Sequence, residues 1–381
     1  MRDIRYQIAV DGEPDNALTE EAAEIEVQQT IEGPTTFRVK FAIDICRGEF
    51  NLLDDARLNP GEPDRTITIV AHLNGAGYVL AHGIITERKV NFAEGGPGSS
   101  LEIACEDRRR VMDRKPRSKA HEGTASQIAE QILQSYEFET DVTKTEIQYE
   151  EDKGTLNQAD TETDLAFVKK LAGRNGFRFW IDWEVGVGLA GFELTETAHF
   201  KPSPPQPQRN ALGFVPPLLL APEAAAELKL NAGDGCSNVA SFELHTNAEA
   251  PNQSGTVRRV NSDDGEVADS SVPRPTTEQL GEQPPAPSQA RERRVVTAGD
   301  AQEARVRSEA ALNDASWAVQ ATAESSVQAL NSFVGPHQIV TVSGAGALNS
   351  GDYFVKAVTH TVDSAAHKLR IELLRNALGG A

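Results

Sequence analysis

Cysteine is scarce in this chain of 381 residues: Cys46, Cys105 and Cys236 stand far apart, and no two are in CxxC spacing. That excludes a disulfide framework and a cysteine zinc site, and it predicts reduced, buried thiols. Cationic side chains are also in deficit, 37 Lys and Arg against 57 Asp and Glu, for a formal charge of −20. A protein that grips nucleic acid through its net field needs the opposite balance, so no sequence-specific nucleic-acid partner is expected. No apolar run approaches the roughly 20 residues of a membrane helix, so no membrane insertion is expected. The N-terminal MRDIRYQIAVDGEPDN lacks the apolar middle of a secretory signal, so no signal peptide is expected either.

Catalytic signatures are missing too. There is no GxSxG elbow and no HxH, HExxH or HxxxH spacing among the eight histidines. Gly75-Ala76-Gly77 and Gly344-Ala345-Gly346 lie between strand-like runs, not at a helix N-terminus, and neither is followed by the Lys-Ser or Lys-Thr of a phosphate loop. Asp263-Asp264-Gly265-Glu266 lacks the earlier ligands of a calcium loop, because Val260 stands five before the glycine. The expectation is no catalytic, cofactor-binding or metal-binding residue, no cofactor, and no enzyme.

What is present is strand text. Ile4, Tyr6, Ile8 and Val10 alternate, as do Phe37, Val39, Phe41, Ile43 and Ile45. Residues 66–73 and 78–86 flank Asn74-Gly75-Ala76-Gly77, the chemistry of a hairpin turn, and LEIAC puts Leu101, Ile103 and Cys105 on one face. Five or more antiparallel strands in about 110 residues predict a small barrel over 1–112.

Residues 113–200 read as an α+β unit. Thr124 and Gln127 make a capping box before a helix with Ile128, Ile132, Leu133 and Tyr136 on one face. A second helix over 163–174 is capped by Thr161 or Thr163, lined by Leu165, Val168, Leu171 and Ala172, and ended by Asn175-Gly176. FRFWID follows as a strand with Phe177, Phe179 and Ile181 opposite Arg178, Trp180 and Asp182. Residues 201–227 form a proline-rich connector, and 228–246 begin a second barrel. Residues 247–314 are a polar, extended excursion with a short helix at 300–313. Residues 315–381 complete the second barrel through QIVTVSG, YFVKAVTHTV and LRIELLRN. The fold class is mainly β with an α+β insertion: two barrels per chain, the second discontinuous.

Two clusters stand out. RRRVMDRKPRSK (108–119) carries seven basic side chains in an acidic protein. The favoured reading is an interdomain segment whose arginines pair with surrounding carboxylates; with no interleaved aromatics, it lacks the stacking groups of a single-strand binder. A hairpin could juxtapose His360 and His367, which are read as surface or rim residues.

Three stretches together resemble a known family. In TETDLAFVKKLAGRNGFRFWID, the residues Glu162, Asp164, Leu165, Phe167, Leu171, Gly176 and Phe177 match the helix signature of contractile-tail hub proteins. In the C-terminal stretch, Gly351, Tyr353, Val355, His360, Arg375 and Asn376 fill the places of the phage late control gene D family, and GTASQIAEQIL is similar to its first helix. The resemblance spans nearly the whole chain and extends to the hub unit of type VI secretion spike proteins.

It implies a structural baseplate hub in the virion tail, or in a phage-tail-like particle assembled in the cytoplasm. Such hubs form homotrimeric rings in which three chains present six barrels, joining a hexameric tail tube protein to a trimeric central spike protein. Other baseplate components, the tape-measure protein among them, are the remaining implied partners. Because the sequence reaches Ala381 with neither an oligonucleotide-binding-type fold nor a β-helical needle, the spike is expected to be a separate chain. The alternatives are a tail-associated cell-wall hydrolase and a type VI-like spike hub with a separate needle chain.

Overall fold

Alternating apolar residues build the first barrel. Ile4–Val10 pairs antiparallel with Thr66–Leu73, which continues through Ala76–Asn91, Ser100–Glu106 and Thr36–Ala42 to Ala22–Thr30. Asn74 and Gly75 both take positive φ (54° and 88°), as the tight hairpin turn requires. The short helix Asn16–Glu21 packs on the strand Ile4–Val10. Asp15 caps it, Leu18 is buried beneath it, and Thr19 Oγ1 accepts from the Ile8 N–H at 2.9 Å.

In a computed structural model of the chain, the described residues are 4–43, 51–94, 98–149, 156–188, 191–204, 226–230, 236–246, 254–260, 267–272, 275–285, 292–298 and 301–379. At 187–188, 191–192, 254–260, 267–272 and 292–298 the description is of backbone. Cys46, the Asp263–Glu266 cluster and most of the proline-rich connector lie outside these residues.

The second barrel runs from Glu227–Lys229, parallel to Ile339–Ser343, through Gly351–Asp363, His367–Arg375 and Val319–Ser326 to Val239–Thr246. One asparagine closes it. Asn238 donates its N–H to Lys229 O and its side-chain amide to Glu227 O, and its Oδ1 accepts from the Lys229 N–H at 2.7 Å. Gly344 sits at the same closure with φ +79°; a Cβ there would lie 1.7 Å from Leu230 O, so no other residue fits without moving the backbone.

The two barrels are not separate sheets. Ala22–Thr30 pairs antiparallel with Gly351–Asp363, from Thr30↔Ala357 to Glu24↔Asp363, and this welds them into one 13-stranded sheet. A single apolar core runs beneath it, from Phe37, Val39 and Phe41 to Val340, Val355 and Ile371.

The α+β unit has its own core. Helix Ala125–Gln134 begins at the Thr124–Gln127 capping box, and helix Asp164–Arg174 is capped by Thr163 rather than Thr161. Both pack on Phe177–Gly188 and Gly191–Pro202, burying Ile128, Leu133, Phe167, Leu171, Phe179 and Phe200. Gly176 makes the left-handed exit at φ +68°.

Two expectations need correction here. The polar excursion is not merely extended: Ser254–Val260, Val267–Val272 and Glu292–Ala298 pair into a three-stranded sheet. Part of it is also built into the second barrel. Leu280 packs with Trp317 and Phe354, and its N–H donates to Asn376 Oδ1 while its carbonyl accepts from Arg375 Nε. Sequence periodicity misses this strap because hydrogen bonds between backbone and distant side chains hold it. The second correction is Cys236, which is exposed; Cys105 is buried as expected, and burial pushes its thiol well above the usual range.

Phe167→Ala or Leu171→Ala is expected to lower stability by about 2–5 kcal/mol, the cost of emptying a core site, read by denaturant melts. Gly176→Val is expected to destabilise as well, since Val resists positive φ and its Cβ would meet Ala310 Cβ at 3.3 Å. Asn376→Ala strands the Leu280 N–H and the Glu278 carbonyl, and a loss of about 1–3 kcal/mol is expected in the same assay.

Candidate functional site at the seams between the units

Polar side chains concentrate where the barrels and the α+β unit meet. The basic run supplies the first group. Arg109, buried, forks onto the fully buried Asp107 through Nε and Nη2 (3.0 and 2.6 Å). Asp107 also accepts from the Thr35 N–H at 2.6 Å, and Arg109 Nη1 reaches Phe179 O at 3.4 Å. The pair thus ties a loop of the first barrel to a strand of the α+β unit, with two charges satisfied out of water.

Arg108 pairs with Glu196, which also accepts from Trp183 Nε1 at 3.2 Å. Arg114 grips Asp64, and Arg117 lies 3.3 Å from the buried Asp164. The arginines therefore meet carboxylates, as the favoured sequence reading had it.

The second group is the histidine pair, and it overturns the surface reading. His360 and His367 are buried, with His360 Nδ1 2.9 Å from His367 Nε2 and Tyr6 Oη 2.7 Å from His367 Nδ1. The chain Tyr6–His367–His360 spans the junction of the barrels, because His360 sits opposite Val27 of the first. His360 Nε2 has no partner among the described residues. Burial pushes the His367 imidazole down to about 4; it also pushes His360 well below the ordinary range, helped there by the neighbouring ring. A turn of Asp363–Ala366 was visible in the sequence; that both faces of the hairpin would be covered was not.

The third group was missed altogether. Trp180, which the alternation puts on the strand face of Arg178 and Asp182, is buried between two imidazoles, stacked on His337 at 3.9 Å and His199 at 4.9 Å between ring centroids. Trp180 Nε1 donates to Asp182 Oδ2 at 3.0 Å, and His199 has Asp182 and Asp141 oxygens at 3.2 and 3.1 Å. Ser203 Oγ lies 3.0 Å from His337 Nδ1. The only sequence signal was an odd one: a tryptophan where the alternation asked for a polar residue.

These rings border a cleft of about 650 Å³, together with Tyr78, Trp183, Lys201 and Gln338. Among the described residues the far nitrogen of His337, Nε2, has no partner, and burial pushes the imidazole down to about 3. Among the described residues no cluster of three or more His, Cys, Asp or Glu can hold a metal, and no helix is long and apolar enough to cross a membrane.

Arg109→Met leaves Asp107 buried without its cation, and a loss of about 3–5 kcal/mol is expected in chemical denaturation. His367 gives a pH dependence. Its folded pKa is depressed below the ordinary 6.5, so its unfolded form binds the proton first, and stability falls as pH drops from 6.5 towards 4. The expected loss is on the order of 3 kcal/mol across that window. Urea melts at pH 7, 5.5 and 4 should show this slope in wild type and a shallower one in His367→Phe, where His82, His337 and His360, also lowered by burial, still contribute.

The architecture has counterparts among known proteins. The family model described as the Alg8 N-terminal domain matches residues 2–184, the first barrel and most of the α+β unit. No curated protein matches the sequence. A 43 kDa tail protein of prophage MuSo2 from Shewanella oneidensis superposes with a TM-score of 0.64 at 11% identity, over 99% of this chain and 100% of that one. A tail protein from Neisseria meningitidis MC58 gives 0.63 at 12% identity, over 98% and 97%. An E. coli component of the type VI secretion system, itself described as similar to T4 tail proteins gp27 and gp5, gives 0.52 at 14% identity, over 100% of this chain and 79% of that one. The chain has the fold of phage tail proteins, one shared with this secretion-system component.

Proposed function

We propose that this chain is a structural baseplate hub of a contractile tail or tail-like injection particle. Three copies form a ring that joins the tail tube to the central spike. The observation that carries this reading is the pairing of Ala22–Thr30 with Gly351–Asp363, which places two barrels edge to edge in one chain. Three such chains present six barrels, so a threefold ring can meet a sixfold tube on one side and a threefold spike on the other. The fold likeness to two tail proteins over nearly their full lengths supports the particle assignment, and the residue resemblance to the late control gene D family supports the hub role within it. Other baseplate proteins and the tape-measure protein are the further proposed contacts.

The role is proposed to be non-catalytic. Among the described residues the one serine–histidine contact, Ser203 with His337, rests on an imidazole that burial pushes down to about 3.

Light scattering and native mass spectrometry are expected to find a trimer, alone or after addition of tube or spike protein, since some rings close only on their partners. A monomer at every concentration with both partners present would sink the hub reading. Peptidoglycan zymography is expected to show no clearing, and a lytic band would favour the hydrolase instead.

A further inference from the structure

His337 combines features that a merely structural residue does not need. Its backbone φ is +66°, a conformation that side-chain-bearing residues rarely hold without compensation, and the residue is buried. Its ring lies nearly parallel to Trp180, at 14° and 3.9 Å between centroids. Nδ1 faces Ser203 Oγ, while Nε2 is buried with no partner among the described residues. The loop that carries it belongs to the second barrel: the His337 N–H donates to Val355 O, and the Val355 N–H donates to Gln338 O. Trp180, His199 and Ser203 belong to the α+β unit or its exit. The imidazole is therefore a plate inserted between two separately cored bodies, beside a cleft of about 650 Å³ into which it can turn.

We propose that His337 is a proton-operated latch. Neutral, it holds the α+β unit against the second barrel by stacking on Trp180. Protonated, it leaves the stack for the cleft, where Asp182 and Glu184 present carboxylates, and the seam loosens while each body stays folded.

The surroundings fix the direction. Facing His337 are Arg109 from the helix Arg109–Met112, Arg178 and Asp182 from Phe177–Gly188, and His199 from Gly191–Pro202, with Asp141 and Lys201 behind His199. Burial is the dominant cause of its lowered pKa, partly opposed by Asp182 and reinforced by the two arginines and His199. A freely solvated imidazole takes its proton near 6.5, whereas the stacked one resists until about 3. Between those limits each unit of falling pH favours the released state up to tenfold. The mechanism is an equilibrium between two packings of one seam, biased by a single proton.

The test uses the full chain with 5-fluorotryptophan at its three tryptophans, Trp180, Trp183 and Trp317, assigned by single Trp→Phe variants. Fluorine NMR from pH 7.5 to 3.5 should show the Trp180 resonance moving reversibly, while Trp317 in the second barrel and the far-UV circular dichroism stay constant. His337→Phe keeps a flat ring but cannot titrate, and it should abolish that movement. Ser203→Ala removes the partner of the closed imidazole and should raise the midpoint by at least half a pH unit. The latch is overturned if Trp180 and Trp317 move together with loss of secondary structure. It is equally overturned if His337→Phe leaves the Trp180 profile unchanged or, should that variant not fold, if Ser203→Ala leaves the midpoint where it was.

Discussion

The structure depends on one antiparallel ladder, Ala22–Thr30 against Gly351–Asp363. It joins strands more than 300 residues apart, so nothing local can nucleate it, and the loop-closure cost is met by everything else that the two barrels bury. Once it forms, Val27 and Val39 of the first barrel share a core with Val358 and Ile371 of the second. The free edges that two small barrels would expose are used against each other, which blunts the usual hazard of unpaired strand edges. The α+β unit, inserted between the two barrels in sequence, is then held near both.

Holding it requires charge as well as apolar area. A protein with a net charge of −20 concentrates seven cations at 108–119, and those nearest the seam are satisfied by Asp107, Glu196 and Asp164. Buried pairs of this kind specify geometry more than they add stability, because desolvation offsets most of their attraction. Histidines share the seams. Five of the eight, His82, His199, His337, His360 and His367, lie at contacts between units, and burial lowers the pKa of His82, His337, His360 and His367.

The residues that carry the family resemblance have identifiable physical tasks. Asp164 opens a helix while accepting from Tyr136 Oη and Gln158 Nε2 at 2.6 and 2.9 Å. Gly176 supplies the positive φ at that helix's exit. Arg375, fully buried, lies over the Tyr353 ring and donates to the carbonyls of Leu280, Ser350 and Gly379, and Asn376 grips the same strap. A motif that reads as a string of unrelated identities becomes a polar clamp on the chain's return into the second barrel.

By itself the sequence determined what is local. Period-two alternation placed strands over 4–10, 37–45 and LRIELLRN (369–376), Thr124 and one of Thr161 and Thr163 started the helices, and Asn74-Gly75 turned the hairpin, because each signal is decided within a few residues; the structure set the bounds at Thr36–Ala42 and His367–Arg375 and chose Thr163. It also determined that the arginines of 108–119 would need acidic neighbours. The tertiary structure alone decided that the barrels are one sheet, that Leu280 packs against the second barrel, and that Trp180, His337, His360 and His367 are interior. Those outcomes depend on which faces meet across more than a hundred residues. A face that looks polar in one strand stays dry when a second body covers it.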